Sequence, residues 1–242
     1  MIILSYDIET TGLNKINDRI IEIGLALYST GQNKILESTG FLVQSDGAPI
    51  TAEVTEITGI TQAAVDRFGY DPVDALDDVI RFMEQADAVI GHNVIRFDRP
   101  ITANASKRLN RVLPEKLWID TMTDIPNVKG EQLITMSAKH GFLNPIQHSA
   151  EDDAKSVLKL VSFYDINKVV ERAQSPTIVV RSHQPNTTEN NKVVRKLGFI
   201  WNGDFKIWWR ATKEMDFENL KSRMPFDVSV VGKEIPLEQL QD

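Results

Sequence analysis

Asp7 and Glu9 are the first residues whose types and spacing could do chemistry. They stand at i and i+2 in Asp7-Ile8-Glu9-Thr10-Thr11-Gly12-Leu13, directly after the apolar run Ile2-Ile3-Leu4-Ser5-Tyr6. On an extended segment such a pair points to one face, so both carboxylates can reach one site, and Gly12 lets the chain turn away tightly. A further acid, Asp98, follows Gly91-His92-Asn93-Val94-Ile95-Arg96-Phe97, after the apolar run Ala88-Val89-Ile90. Another cluster reads His148-Ser149-Ala150-Glu151-Asp152-Asp153-Ala154. The chain has no cysteine, which excludes a disulfide framework, thiolate zinc, an iron–sulfur cluster or a cysteine nucleophile. Any metal must therefore sit on carboxylates or imidazoles, and His148 could act as a base beside a metal-bound water. Each element also has a plainer use. A bare Asp-x-Glu suits a solvated loop start, Asp98 an N-cap ahead of Arg99-Pro100, and His92 and Asn93 the loose backbone of a strand end. Consecutive acids at a helix start suit the macrodipole.

These residues need strands and helices to hold them. The spacing predicts strands over Ile2–Tyr6, Ile20–Leu27 and around Gly40–Val43, joined by hairpin-type loops. Apolar positions Val73, Leu76, Val79, Ile80 and Met83 predict an amphipathic helix over 72–85. A core strand at 88–90, a helix over about 99–113, a short strand at 118–119, a helix over 132–139 and a longer one over 150–170 follow. Strands first, then strands alternating with helices, give a mixed α/β sheet. In an open α/β sheet the functional crevice lies beyond the carboxyl ends of the strands, where Asp7, Glu9 and Asp98 fall.

The 242 residues are 42% hydrophobic and 25% charged with a net charge of −7, which excludes disorder and allows one domain plus a smaller partner. No apolar run reaches the roughly 18–20 residues that span a bilayer. No basic n-region precedes the first apolar stretch, so a soluble, cytoplasmic protein without a membrane partner is expected. Charge is uneven: residues 1–172 carry 25 acids against 17 Lys and Arg, and residues 173–242 carry 9 against 10. The joint falls at Ala173-Gln174-Ser175-Pro176, giving domains 1–172 and 177–242.

Taken together, Asp-x-Glu-Thr-Thr-Gly-Leu, then His-Asn followed by Phe-Asp, then His-x-Ala-x-x-Asp resemble the ordered motifs of the DEDDh (DnaQ-like) 3′→5′ exonucleases. That superfamily includes the proofreading epsilon subunit and RNase T. Ile57-Thr58-Gly59-Ile60-Thr61 and Trp118-Ile119-Asp120-Thr121 are similar to two further segments of the family. The resemblance covers about residues 1–170. It implies an RNase H-like mixed β-sheet flanked by helices, the exonuclease fold, and leaves a small C-terminal α+β module behind it. One departure stands out: three residues separate Asn93 from Phe97 where the proofreading form has two. That spacing is similar to exonuclease domains of some DNA polymerases, which generally place Tyr where this chain has His148.

The resemblance implies phosphodiester hydrolysis from the 3′ end of DNA, single strands preferred, with two Mg²⁺ or Mn²⁺ ions and release of nucleoside 5′-monophosphates. It implies Asp7, Glu9, Asp98 and Asp153 as metal ligands and His148 as the base. Ile8, Thr10, Thr11, Leu13, His92, Asn93 and Phe97 would contact substrate. Nucleic acid is the implied partner, with a polymerase or other replication or repair protein beside it in proofreading or repair. An RNA-directed member of the family and a catalytically silent scaffold are the alternatives. Two basic stretches could hold phosphates: Arg96 to Lys116, and residues 181–213, where 7 Lys and Arg meet 2 acids. In the second stretch Gly198 reads as a helix C-cap and Asn202-Gly203 as a hairpin turn. Trp201, Trp208, Trp209 and Arg210 are the candidate accessory contacts there, set against a core role for most of the tryptophans.

Overall fold

The computed structural model describes residues 1–126, 131–144 and 149–232. Two compact units form, Met1–Ala173 and Gln174–Asp242. In the first, strands β1 (Ile2–Thr10), β2 (Ile20–Ser29) and β3 (Lys34–Leu42) make an antiparallel meander. Helices α1 (Ala52–Thr58), α2 (Gln62–Phe68) and α3 (Pro72–Gln85) lead to β4 (Ala88–Gly91), followed by α4 (Asp98–Arg108) and β5 (Leu117–Asp120). Helices α5 (Leu133–Lys139), α6 (Ala150–Val161) and α7 (Ile166–Gln174) complete the unit. The sheet order is β3-β2-β1-β4-β5, with β4 parallel to both β1 and β5. It is the mixed five-stranded sheet with flanking helices expected of the exonuclease fold.

Both sheet faces are covered, which is why no position of β1 is fully exposed, polar Ser5, Asp7, Glu9 and Thr10 included. Leu4, Tyr6 and Ile8 pack with Leu76, Val79 and Phe82 of α3 and Ile101 and Ala105 of α4. Ile3, Ala26, Ile90 and Ile119 pack on the other face with Met136 of α5, Val157, Leu158 and Leu160 of α6, and Val169 of α7.

Several boundaries depart from the sequence expectation. Strand β1 runs on to Thr10, so Asp7 and Glu9 lie within the strand and not past its end. Strand β3 starts at Lys34 because its pairing with β2 runs on to Ser29. The helix expected over 150–170 is two helices, and Asp165 accepts the Asn167 N–H at 3.0 Å to start the second. Helix α4 ends at Arg108, where Asn110 takes a left-handed φ of 52°.

In the second unit β6 (Thr177–Ser182), β7 (Ile200–Asn202), β8 (Ile207–Lys213) and β9 (Val228–Val230) form an antiparallel sheet of order β7-β8-β6-β9. Helices α8 (Thr188–Lys196) and α9 (Phe217–Arg223) belong to this unit. Gly198 is left-handed at φ 84° and ends α8 as expected. The β7–β8 connection is longer than a two-residue Asn-Gly turn: the Asn202 side chain accepts the N–H groups of Asp204 and Phe205, and Lys206 carries the positive φ. Among the described residues no helix is long and apolar enough to cross a membrane.

A Cβ at Gly24 would lie 2.0 Å from the Ala150 carbonyl group, whereas one at Gly31 meets nothing within 4 Å. Gly24→Ala is therefore expected to cost about 1–3 kcal/mol through forced backbone displacement, and Gly31→Ala less than about 0.5 kcal/mol. Urea denaturation of both variants checks this; equal stabilities would contradict the close helix–sheet contact.

Candidate active site

Because side chains alternate along β1, Ser5, Asp7 and Glu9 share the face that α6 covers. Ser5 Oγ donates to the Ala154 carbonyl at 2.7 Å. The helix comes this close because β2 and β3 present Gly24 and Gly40, where a Cβ would strike Ala150 or Glu151. Glu22 is the register partner of Glu9 across β1 and β2. Its carboxylate accepts the Ala150 N–H at 3.1 Å, one of the amides that a helix start leaves without an intrahelical partner. Asp153 lies in the first turn of α6, its N–H bonded to the Ser149 carbonyl at 2.9 Å. The outcome is that one oxygen from each of Asp7, Glu9 and Asp153 lies within 4.8 Å of the others.

Crowding like charges beside a packed sheet raises their proton affinity. Burial, followed by repulsion from Asp98, Asp153, Glu9 and Glu22, holds the Asp7 carboxyl well above the usual range. Burial and then Glu22, Asp153 and Asp98 push Glu9 up to about 8. Glu22 is raised by burial despite the opposing Ala150 hydrogen bond. The donor set fits a hard divalent cation: the three gathered side chains are all carboxylates, and Mg²⁺ with oxygens at about 2.0–2.1 Å holds neighbouring ligand atoms about 3–4 Å apart.

Asp98 behaves differently from the other three. It opens α4 with Phe97 at the N-cap position, so it is not itself the cap. Asp98 Oδ1 accepts the Ile8 N–H at 3.1 Å, which ties α4 to β1 beside Asp7. Burial, partly offset by its hydrogen bonds, raises its carboxyl to about 7. His148 lies outside the described residues.

Asp120 explains how the longer loop before Phe97 closes. Its buried carboxylate accepts N–H groups from Asn93 at 2.9 Å, Ile95 at 3.2 Å and Met122 at 2.9 Å. Asn93 adopts a left-handed φ of 61°, and Gly91 admits the Val94 side chain against the strand. His92 Nδ1 meets Thr121 Oγ1 at 2.9 Å, and burial lowers its proton affinity. Neither Glu22 nor Asp120 was assigned a role from sequence. The signal was present in both: a carboxylate inside an apolar strand segment, Ile21-Glu22-Ile23 and Trp118-Ile119-Asp120.

The other expected contacts divide by exposure. Leu13 is 83% exposed and free to meet a ligand, while Ile8 is in the core and Phe97 packs against it. Thr10 Oγ1 donates to the Gly12 carbonyl, and Thr11 Oγ1 accepts the Arg19 N–H, so both hydroxyls shape the loop. In the basic stretch 96–116, Arg111 pairs with Asp77, Lys116 donates to the Ala86 carbonyl and Arg99 lies over Trp118. Much of that charge serves the fold.

The exonuclease family model RNase_T matches residues 4–161. The chain belongs to this exonuclease family. PolC-type DNA polymerase III of Listeria monocytogenes is 29% identical over 161 residues, 64% of this chain and 11% of that protein. The same polymerase of Clostridium perfringens is 30% identical over 164 residues, 65% of this chain and again 11% of the relative. The chain thus spans about a tenth of the length of these relatives. Among solved structures, E. coli exonuclease I in complex with a dA16 oligonucleotide superposes with a TM-score of 0.60 at 17% identity, covering 75% of this chain and 48% of that one. The nuclease domain of 3′hExo, a DEDDh family member bound to rAMP, gives 0.56 at 19% identity, covering 66% and 89%. The fold is thus that of exonucleases, and the acidic cluster lies within the matched segment of this family member.

The raised carboxyls have a measurable consequence in metal-free protein. A carboxyl that binds its proton more tightly when folded contributes stability that is full below the unfolded pKa and is lost as pH rises through the folded value. For Glu9 that window runs from the ordinary value of 4.5 to about 8. In EDTA, Glu9→Gln should match wild type near the lower limit and exceed its melting temperature increasingly toward the upper one. The comparison isolates this carboxyl from titrating histidines. A difference that stays constant or reverses across the window would contradict the crowding.

Proposed function

We propose that this chain is a divalent-cation-dependent 3′→5′ exonuclease acting on single-stranded DNA ends and releasing nucleoside 5′-monophosphates. The observation that carries the reading is the convergence of Asp7, Glu9 and Asp153 from a strand and a helix onto one cluster of oxygens. In this reading Asp7, Glu9, Asp98 and Asp153 hold two Mg²⁺ or Mn²⁺ ions. When bound, such a pair supplies charge neutralisation for the phosphoryl group and acidifies the attacking water. The acids fix the position of that charge, and the pleat of β1 aims two of them at it. Glu22 holds the start of α6, so the helix delivers Asp153 to the same place. His148, five residues before Asp153, takes the proton from water, a role that imidazole chemistry suits near neutrality. The backbone of 8–11, the Leu13 side chain, and the loop at His92, Asn93 and Phe97 clasp the terminal nucleotide.

The oligonucleotide bound to E. coli exonuclease I supports a single-stranded DNA substrate. Likeness to part of PolC-type polymerases supports work beside a polymerase, in proofreading or repair. A second reading, action on RNA 3′ ends, is favoured by the DEDDh nuclease domain bound to rAMP. The silent-scaffold alternative is the weaker one, because a scaffold has no use for crowded carboxylates whose repulsion works against folding.

Strands of DNA and RNA labelled at the 3′ or 5′ end, incubated with Mg²⁺, Mn²⁺ or EDTA, test the reading. Label should leave the 3′ end first, as mononucleotide, only with metal and faster from DNA. Asp7→Ala or Asp153→Ala should reduce the rate by at least about 10²–10³-fold with the fold intact. His148→Ala should lose about 10²–10⁴-fold near neutrality, with partial recovery at high pH. Near-normal activity in either aspartate variant, or release from the 5′ end, would overturn it.

A further inference from the structure

The second unit sorts its tryptophans. Adjacent residues of β8 point to opposite faces, and both faces are covered: Trp208 packs with Val180, Val194 and Leu220, and Trp209 with Val179 and Ile207. Arg210 donates to the Leu197 carbonyl at 2.7 Å and so is committed to the end of α8. Of the accessory contacts expected from sequence, these three are therefore occupied by the fold. Trp201 is the exception. It is the register partner of Trp208 but sits on the short edge strand β7, and 44% of its surface is exposed.

The exposed indole has charged company. Trp201 and Trp208 lie 5.6 Å apart, centroid to centroid, at 53°. The Arg195 guanidinium lies 5.2 Å from the centroid of the same Trp208 ring. The indole and the guanidinium thus neighbour one buried ring. Lys192 is one helical turn before Arg195 on α8, and both are solvent-exposed. The surrounding segment, 181–213, has 7 Lys and Arg against 2 acids in a chain that carries 27 against 34 overall. An exposed aromatic face set among cations in an otherwise acidic chain matches a base with its phosphate.

We infer that Trp201, which shares the Trp208 ring as a neighbour with Arg195, is a platform on which an unpaired base of a single-stranded nucleic acid stacks while Arg195 and Lys192 of α8 meet its backbone. The inference rests on the nuclease reading for its choice of ligand, but it assigns a binding site that the catalytic carboxylates do not supply. Stacking is tolerant of sequence because every base has a π-face. A second hold on the same strand raises its local concentration through the covalent link between the units.

The test uses the full chain in EDTA, so that binding is read without cleavage, with fluorescently labelled single-stranded DNA, single-stranded RNA and duplex DNA of equal length. Trp201→Ala should weaken single-strand binding roughly 5- to 150-fold, Trp201→Phe should retain most of it, and duplex binding should be unmoved. Lys192→Ala should make the log–log salt dependence shallower by about 0.7. The ratio of the DNA and RNA arms identifies which strand is preferred. Wild-type affinity in Trp201→Ala, or no single-strand binding by wild type, overturns the platform; unchanged affinity would leave the ring as a surface for protein. Cleavage of end-labelled strands by wild type in Mg²⁺ is scored separately. Loss of binding in Trp201→Ala with no cleavage by wild type would retain the platform and remove the nuclease reading.

Discussion

The candidate site depends on one close approach, the start of helix α6 against the face of β1 and β2. That approach needs Gly24, which leaves room for Ala150, and Glu22, which accepts the Ala150 N–H. It buries Asp7 and Glu9 and places Asp153 opposite them, and burial first, then this crowding, raises their carboxyls. Repulsion among these groups opposes folding, and the apolar contacts of Val157, Leu158 and Leu160 beneath them hold the arrangement together. A cation is the chemical complement of such a cluster. The fold builds the site under strain of charge, and a ligand relieves it.

The carboxylates also divide their labour. Asp7, Glu9 and Asp153 turn oxygens toward a common point, whereas Asp98, Asp120 and Glu22 use oxygens to hold backbone amides in place. Asp98 ties Ile8 to α4 while its charge acts on Asp7. This double role gives the helix that carries it a fixed position relative to the strand carrying the other acids.

Much of this was legible in the sequence, and the reasons are physical. A strand has a period of two, so Asp7 and Glu9 could be placed on one face without knowledge of any partner. Leu76, Val79 and Met83 of the α3 core followed from the helical spacing of apolar residues, whereas the buried Phe82 did not. Glu22 was not legible as a holding group, because its amide lies 128 residues away in sequence. The closure of the loop before Phe97 was hidden for a similar reason: Asp120 reaches it from a different strand. In the second unit the tryptophans could be counted but not sorted. Burial on both faces of β8, and exposure at the edge strand, are properties of the assembled sheet.

The central claim is that residues from β1 and α6 form one cation-binding centre. Anomalous scattering from crystals soaked in Mn²⁺ tests it most directly. The account predicts an anomalous peak within coordination distance, about 2.0–2.3 Å, of carboxylate oxygens of Asp7, Glu9 and Asp153. A saturated soak with no peak between those residues, or with manganese bound only elsewhere on the protein, would contradict it.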